Sequence, residues 1–181
     1  VKEHAMKKSI FFSVLLAVTL ASCTSDMRLF SYKEIEPVKN ELYTEECSAC
    51  HFAFPPGFLP ERSWKLLMAG LEDHFGDDAS LDEEDVQQIL TFLQNNSADQ
   101  SVYKRSRKVM ASLDNAKTPT PLRITKVPYI ADKHHLIPKK YILDNEKVKS
   151  LSNCNACHQK SDKGIFDDDT VLIPNYGRYE G

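Results

Sequence analysis

Two short runs of one form constrain this chain more than any other feature: Cys47-Ser-Ala-Cys50-His51 and Cys154-Asn-Ala-Cys157-His158. In each, two thiols three residues apart lie on one side of a helical turn, and a histidine follows at once. C-x-x-C-H is the attachment sequence of c-type haem. The two thiols reach the vinyl groups of one macrocycle, and the next imidazole comes under the iron as proximal ligand. Three other uses of four cysteines compete: a C-x-x-C…C-x-x-C zinc site, redox disulfides and structural bridges. None of these requires a histidine directly after both pairs. The expected cofactors are therefore two covalently bound haem c groups, on Cys47 and Cys50 and on Cys154 and Cys157, with His51 and His158 as proximal iron ligands.

The fifth cysteine reads differently. Lys7 and Lys8 precede an uncharged run, Ile10 to Ala21. Twelve helical residues cover about 18 Å, short of the roughly 30 Å of a bilayer core. The run has the form of a signal-peptide hydrophobic segment. It ends in Leu20-Ala21-Ser22-Cys23, which resembles a bacterial lipobox, with Cys23 expected to be diacylated; ordinary cleavage near Ala21 is the alternative. Thr24, in place of Asp, points to the outer rather than the inner membrane. Residues 1–22 are thus read as signal peptide, and the protein as periplasmic and held to the membrane by a lipid anchor. Removal of the leader leaves 159 residues with 20 basic and 25 acidic side chains, a formal charge of −5. A surplus of acids without a basic stripe argues against nucleic acid as a partner. Halves of some 70 residues bury little apolar area unaided, and two haems would supply the missing core.

Of six histidines, His4 falls in the leader and two are proximal, so His74, His134 and His135 remain for two open iron positions. Trp64, Leu67, Met68 and Leu71 recur as the stripe of an amphipathic helix. Three residues further the stripe reaches His74, the expected distal ligand at the first site. Met68 lies on the same face, where methionine is usually packing. His134 and His135 diverge by about 100° on a helix and cannot serve one iron together. Ile130, four residues before, aligns His134 with the apolar side, which makes it the preferred distal ligand and leaves His135 as the alternative. Which distal histidine serves which haem stays open.

The expected fold class is all-α with long irregular segments. After a tether over 23–40 come a helix over 41–51, a Phe/Pro-rich loop over 52–60 that can cover a haem, and a helix over 61–75. Ser80-Leu-Asp-Glu83 has the form of a capping box for a helix ending near Asn95. Another helix is expected over 101–113, with Val102, Val109, Met110 and Leu113 on its apolar side. Pro119 and Pro121 mark a boundary, so the expected haem units are 41–116 and 117–181. Pro128 opens the His134 helix. Beyond residue 159 the chain reads as largely irregular, apart from alternation at 171–173. Eight acids and no Lys or Arg lie between Leu71 and Asp85, a solvated surface or a docking patch for a basic partner. Lys104, Arg105, Arg107 and Lys108 form an opposite cluster.

The stretches Glu46–Trp64, Met68–Gly76, Ala79–Leu81, Pro121–Thr125, Val148–His158 and Gly164–Asp167 resemble the bacterial dihaem cytochrome c family, DHC, over most of residues 40–174. The resemblance implies an N-terminal unit similar to class I cytochromes c and a less regular C-terminal haem unit. It also implies two closely spaced bis-histidine haems, with His134 rather than His135 as ligand. Such proteins are thought to exchange electrons with an oxygen-binding high-spin cytochrome c or a membrane cytochrome b. The expected function is therefore electron transfer between redox partners, not catalysis. The rivals are a small dihaem peroxidase or oxygen reductase and a haem-based gas sensor, each needing one open iron position.

Overall fold

The computed structural model describes residues 34–113 and 119–179. The expected leader, the lipobox with Cys23 and the first part of the expected tether lie outside the described residues. Helix α1 spans Glu41–Ser48, and the Asn40 side chain caps it by accepting from Tyr43 N at 2.7 Å. The helix ends before the second thiol. Cys50 and His51 lie in the turn that follows, not on a helix running to residue 51. Pro55, Pro56 and Pro60 then keep the loop out of α-helix, leaving only a 3-10 turn at Pro56–Phe58.

Helix α2 spans Glu61–Met68 and also stops short of the expected residue 75. Gly70, at φ −127° and ψ 31°, leaves the helical region, and Leu71–Asp73 forms a separate 3-10 turn. His74 is thus not carried by the helix whose stripe points to it. Helix α3 spans Glu83–Asn95. Its cap is Asp82, and Ser80 N instead donates to Asp78 Oδ1 at 3.0 Å, so no capping box forms. Glu83, Glu84 and Asp85 in the first turn suit the positive end of the helix dipole. Helix α4 spans Lys104–Ser112. Val102, expected on its apolar side, precedes it and is exposed, whereas Val109 and Leu113 are buried.

Pro128 is the first residue of α5, Pro128–His134, as a proline at N1 favours. Short turns α6 (Lys139–Ile142) and α7 (Cys154–Cys157) follow. The final stretch is 3-10 turns and one small antiparallel pair, β1 Leu172–Ile173 with β2 Gly177–Arg178. Buried Asn145 pins this hairpin by donating to Pro174 O at 2.8 Å.

Trp64 and Met68 of α2, Ile89 and Leu93 of α3, and Val109 of α4 share one core with Ile124, Val127 and Phe166. That core crosses the expected boundary between the two haem units: the Phe58 and Phe166 rings meet edge to face, 5.0 Å apart. Residues 34–38, expected within the tether, are also packed, Glu34 and Ile35 being buried. Ile35 is fully buried, and its N–H donates to Gly164 O at 3.2 Å. Gly164 has φ +71°, and a Cβ there would lie 2.1 Å from Ile35 O. Only glycine fits both demands.

Candidate haem sites

The loop after α1 is fastened at two points. Tyr43 OH donates to Phe54 O at 2.8 Å, and Trp64 Nε1 donates to Pro56 O at 2.8 Å. This sets Phe54 beside His51, ring centres 5.1 Å apart. His51 Nδ1 lies 2.9 Å from Phe52 O. An imidazole whose Nδ1–H bonds a carbonyl presents its Nε2 lone pair outward, the arrangement that metal-ligating histidines use.

His74 reaches the same space from a tight turn. Its N–H donates to Asp77 O at 2.8 Å, and Phe75 (φ 63°) and Gly76 (φ 105°) between them take the left-handed region. The guanidinium of Arg123 sits 3.7 Å above the Phe75 ring, a cation–π contact that holds this turn from outside. The His74 and His51 ring centres are 6.1 Å apart, with 24° between their planes. Burial, then the neighbouring His51 and Arg123, holds the His74 pKa below the usual imidazole range, which favours the neutral ring a metal requires.

The second motif repeats the theme with other parts. His134, the last residue of α5, has Nδ1 2.7 Å from Ile130 O, which leaves Nε2 free. Its ring centre lies 6.2 Å from that of His158, with 74° between the planes. Burial first, with help from His134 and Arg105, pushes the His158 pKa down to about 4. Its Nδ1 is buried without a hydrogen-bond partner. His135 turns outward, with Nδ1 2.5 Å from Asp132 O. Met68 is buried core that also borders the first cavity.

Two trans imidazoles on one first-row metal ion, each with a bond of about 2 Å, have ring centres about 6.3 Å apart. Both pairs match that spacing. Each pair borders a cavity that its own C-x-x-C thiols also line: about 790 Å³ at the first motif and about 600 Å³ at the second. Among the described residues no cluster of three or more His, Cys, Asp or Glu gathers to hold a metal ion, so the four thiols do not form one zinc site. Burial raises the Cys47 thiol to about 11 and the Cys154 thiol to about 12. That opposes the thiolates zinc needs and suits neutral thioethers. The four thiols are free of disulfides.

Sequence reasoning missed one part of the second site. Arg105, within the basic cluster on α4, is buried and lines this cavity. Its Nε donates to Glu34 Oε2 at 2.6 Å, Nη1 to Tyr129 OH at 3.0 Å and Nη2 to Phe166 O at 2.5 Å. The buried carboxylate that could have signalled it is 71 residues away in sequence.

Two C-x-x-C-H turns, each beside a cavity with an opposed imidazole, define a small c-type cytochrome with two haem sites. The dihaem cytochrome c family model matches residues 43–166. A solved dihaem cytochrome c from Shewanella baltica OS155 is 38% identical, with a TM-score of 0.63, over 78% of this chain and 98% of that one. A dihaem cytochrome c from Rhodobacter sphaeroides is 42% identical, with a TM-score of 0.62, over 72% of this chain and 99% of that one. No curated protein sequence matches closely enough to add a relative. The chain belongs to the dihaem cytochrome c family: it is a haem protein of the electron-transfer kind, with two covalently bound c-type haems.

Proposed function

We propose that this protein is a periplasmic electron carrier, anchored through diacylated Cys23 to the outer membrane, with both irons held by two imidazoles. Cys47 and Cys50 hold the first haem, with His51 proximal and His74 distal. Cys154 and Cys157 hold the second, with His158 proximal and His134 distal. When bound, the haems supply one-electron chemistry through the ferric–ferrous couple. The chain's own part would be to supply the four imidazoles to the irons, to line the cavities with Phe54, Trp64 and Phe166, and to hold the thioethers on the two C-x-x-C turns. Filled positions leave no coordination site for oxygen or peroxide, which separates a carrier from an oxygen reductase, a peroxidase or a gas sensor. Its donor and acceptor are other redox proteins, an oxygen-binding high-spin cytochrome c or a membrane cytochrome b among them.

The observation that carries the reading is the pair of imidazole spacings, 6.1 and 6.2 Å, each fitting one iron. Absorption and EPR spectra of the oxidised holoprotein test it. Two low-spin haems are expected, and His74→Ala should turn one of them high-spin and CO-binding. A substantial high-spin signal in the unaltered protein, or two six-coordinate haems in the His74 variant, would overturn the ligand set. The anchor has its own test in the mass of the intact protein, which should include the diacyl group on Cys23.

A further inference from the structure

The groups that hold the two haems are not divided evenly between the two cavities. Cys47, Cys50, His51 and His74 line the first cavity and not the second, and Cys157 and His158 line the second and not the first. Cys154 and His134 line both. Two groups that would be bonded to the second haem therefore also border the space of the first. The other three side chains common to both cavities, Ile124, Ile130 and Leu151, are aliphatic.

Local structure accounts for the difference between the two thiols of the second motif. Cys154 opens the short helix α7, and its side chain packs against the core that holds Trp64, Leu93 and Ile124. Its Sγ lies 3.7 Å from Leu151 O. Cys157, one turn further on, faces the second cavity alone. His134 ends α5, and its Nδ1 contact with Ile130 O leaves Nε2 for the second iron.

The two shared groups would meet the second haem at different places. An imidazole is bonded to the iron, whereas a thioether is bonded to the edge of the macrocycle, over which the transferable electron is delocalised. Its sulfur is also soft and polarisable. The aliphatic members of the wall have no bond to either haem. We infer that Cys154 is the bridge by which an electron passes between the two haems, so that the protein accepts at one site and delivers from the other instead of carrying two independent electrons. The transfer oxidises one iron from ferrous to ferric and reduces the other from ferric to ferrous; no proton moves, and no bond forms or breaks. The inference rests on the ligand set proposed above.

Cys154→Ala and Cys157→Ala form a matched pair that tests it. Each leaves the second haem attached through one thioether, and only Cys154 borders the first cavity. Both are made in the His74→Ala background, where a high-spin first haem has absorption bands distinct from those of the low-spin second. A flash-generated reductant delivers one electron to the oxidised holoprotein, and its passage between the haems is followed as one set of bands changes into the other. Rates are compared at the driving force measured for each variant. Cys154→Ala should slow the exchange several-fold more than Cys157→Ala; equal slowing, or more in Cys157→Ala, would overturn the inference. The unaltered holoprotein gives a second measurement. When it is half-reduced and dilute, its haem-methyl proton NMR signals should be averaged between the two one-electron forms, and two unaveraged sets would also overturn the inference. If His74→Ala instead leaves both haems low-spin, the ligand set beneath it fails.

Discussion

The two sites start from the same five-residue pattern and end in different surroundings. At the first, the imidazole planes lie 24° apart, His51 is braced by Phe52 O, and the facing His74 ring comes from a left-handed turn clasped by Arg123. At the second, the planes are 74° apart, the facing His134 ring ends a helix, and His158 has an unpartnered buried Nδ1 beside a buried ion pair. The motif sets how a haem is attached. Parts distant in sequence set what surrounds it. Near-parallel rings split the two iron d orbitals that overlap the imidazoles, whereas near-perpendicular rings leave them almost equal in energy. The oxidised protein should accordingly give two separable low-spin EPR signals, an ordinary rhombic one and one with a single large g value. One shared line shape would erase the contrast.

The largest effect on this comparison should come from His134→Ala, which should convert the second haem completely to a high-spin, CO-binding form. His135→Ala should leave both haems as they are; the reverse outcome would exchange the two residues. Next is Arg105→Met. It leaves the Glu34 carboxyl buried without its cation, and breaking a buried pair costs about 3–5 kcal/mol, so thermal unfolding should fall by ten degrees or thereabouts. The second haem's potential should shift more than the first's. Gly164→Ala forces a left-handed alanine against Ile35 O, at about 1–3 kcal/mol, and should loosen the packing of Ile35 against Gly164. The smallest is Tyr43→Phe. It removes the bond to Phe54 O at about 1 kcal/mol and should disturb only the first haem's spectrum.

Chemistry was more legible in the sequence than geometry. The paired thiols stand out by spacing and His74 by apolar periodicity, which are local signals; His134 is preferred to His135 mainly through the family resemblance, and which ring faces which motif histidine is not written in the sequence. The route to those rings was not legible. The α2 stripe points toward His74, yet Gly70 ends that regular structure and a tight turn brings the ring inward. Ser80 and Glu83 have the spelling of a cap, but Asp78 engages Ser80 first. Arg105 reads as one of four residues in a basic cluster, because its partners Glu34 and Phe166 lie 71 and 61 positions away. A stretch that read as tether is anchored for the same reason: Ile35 meets Gly164 across more than a hundred residues.

Ile124, Ile130, His134, Leu151 and Cys154 line both cavities at once. A party wall of this kind makes the two compartments structurally indivisible. Cutting the chain between them would strip a flank from each, so neither fragment would be a faithful miniature of half the protein. A bulkier side chain at Ile130 would likewise press on two cofactors in one stroke.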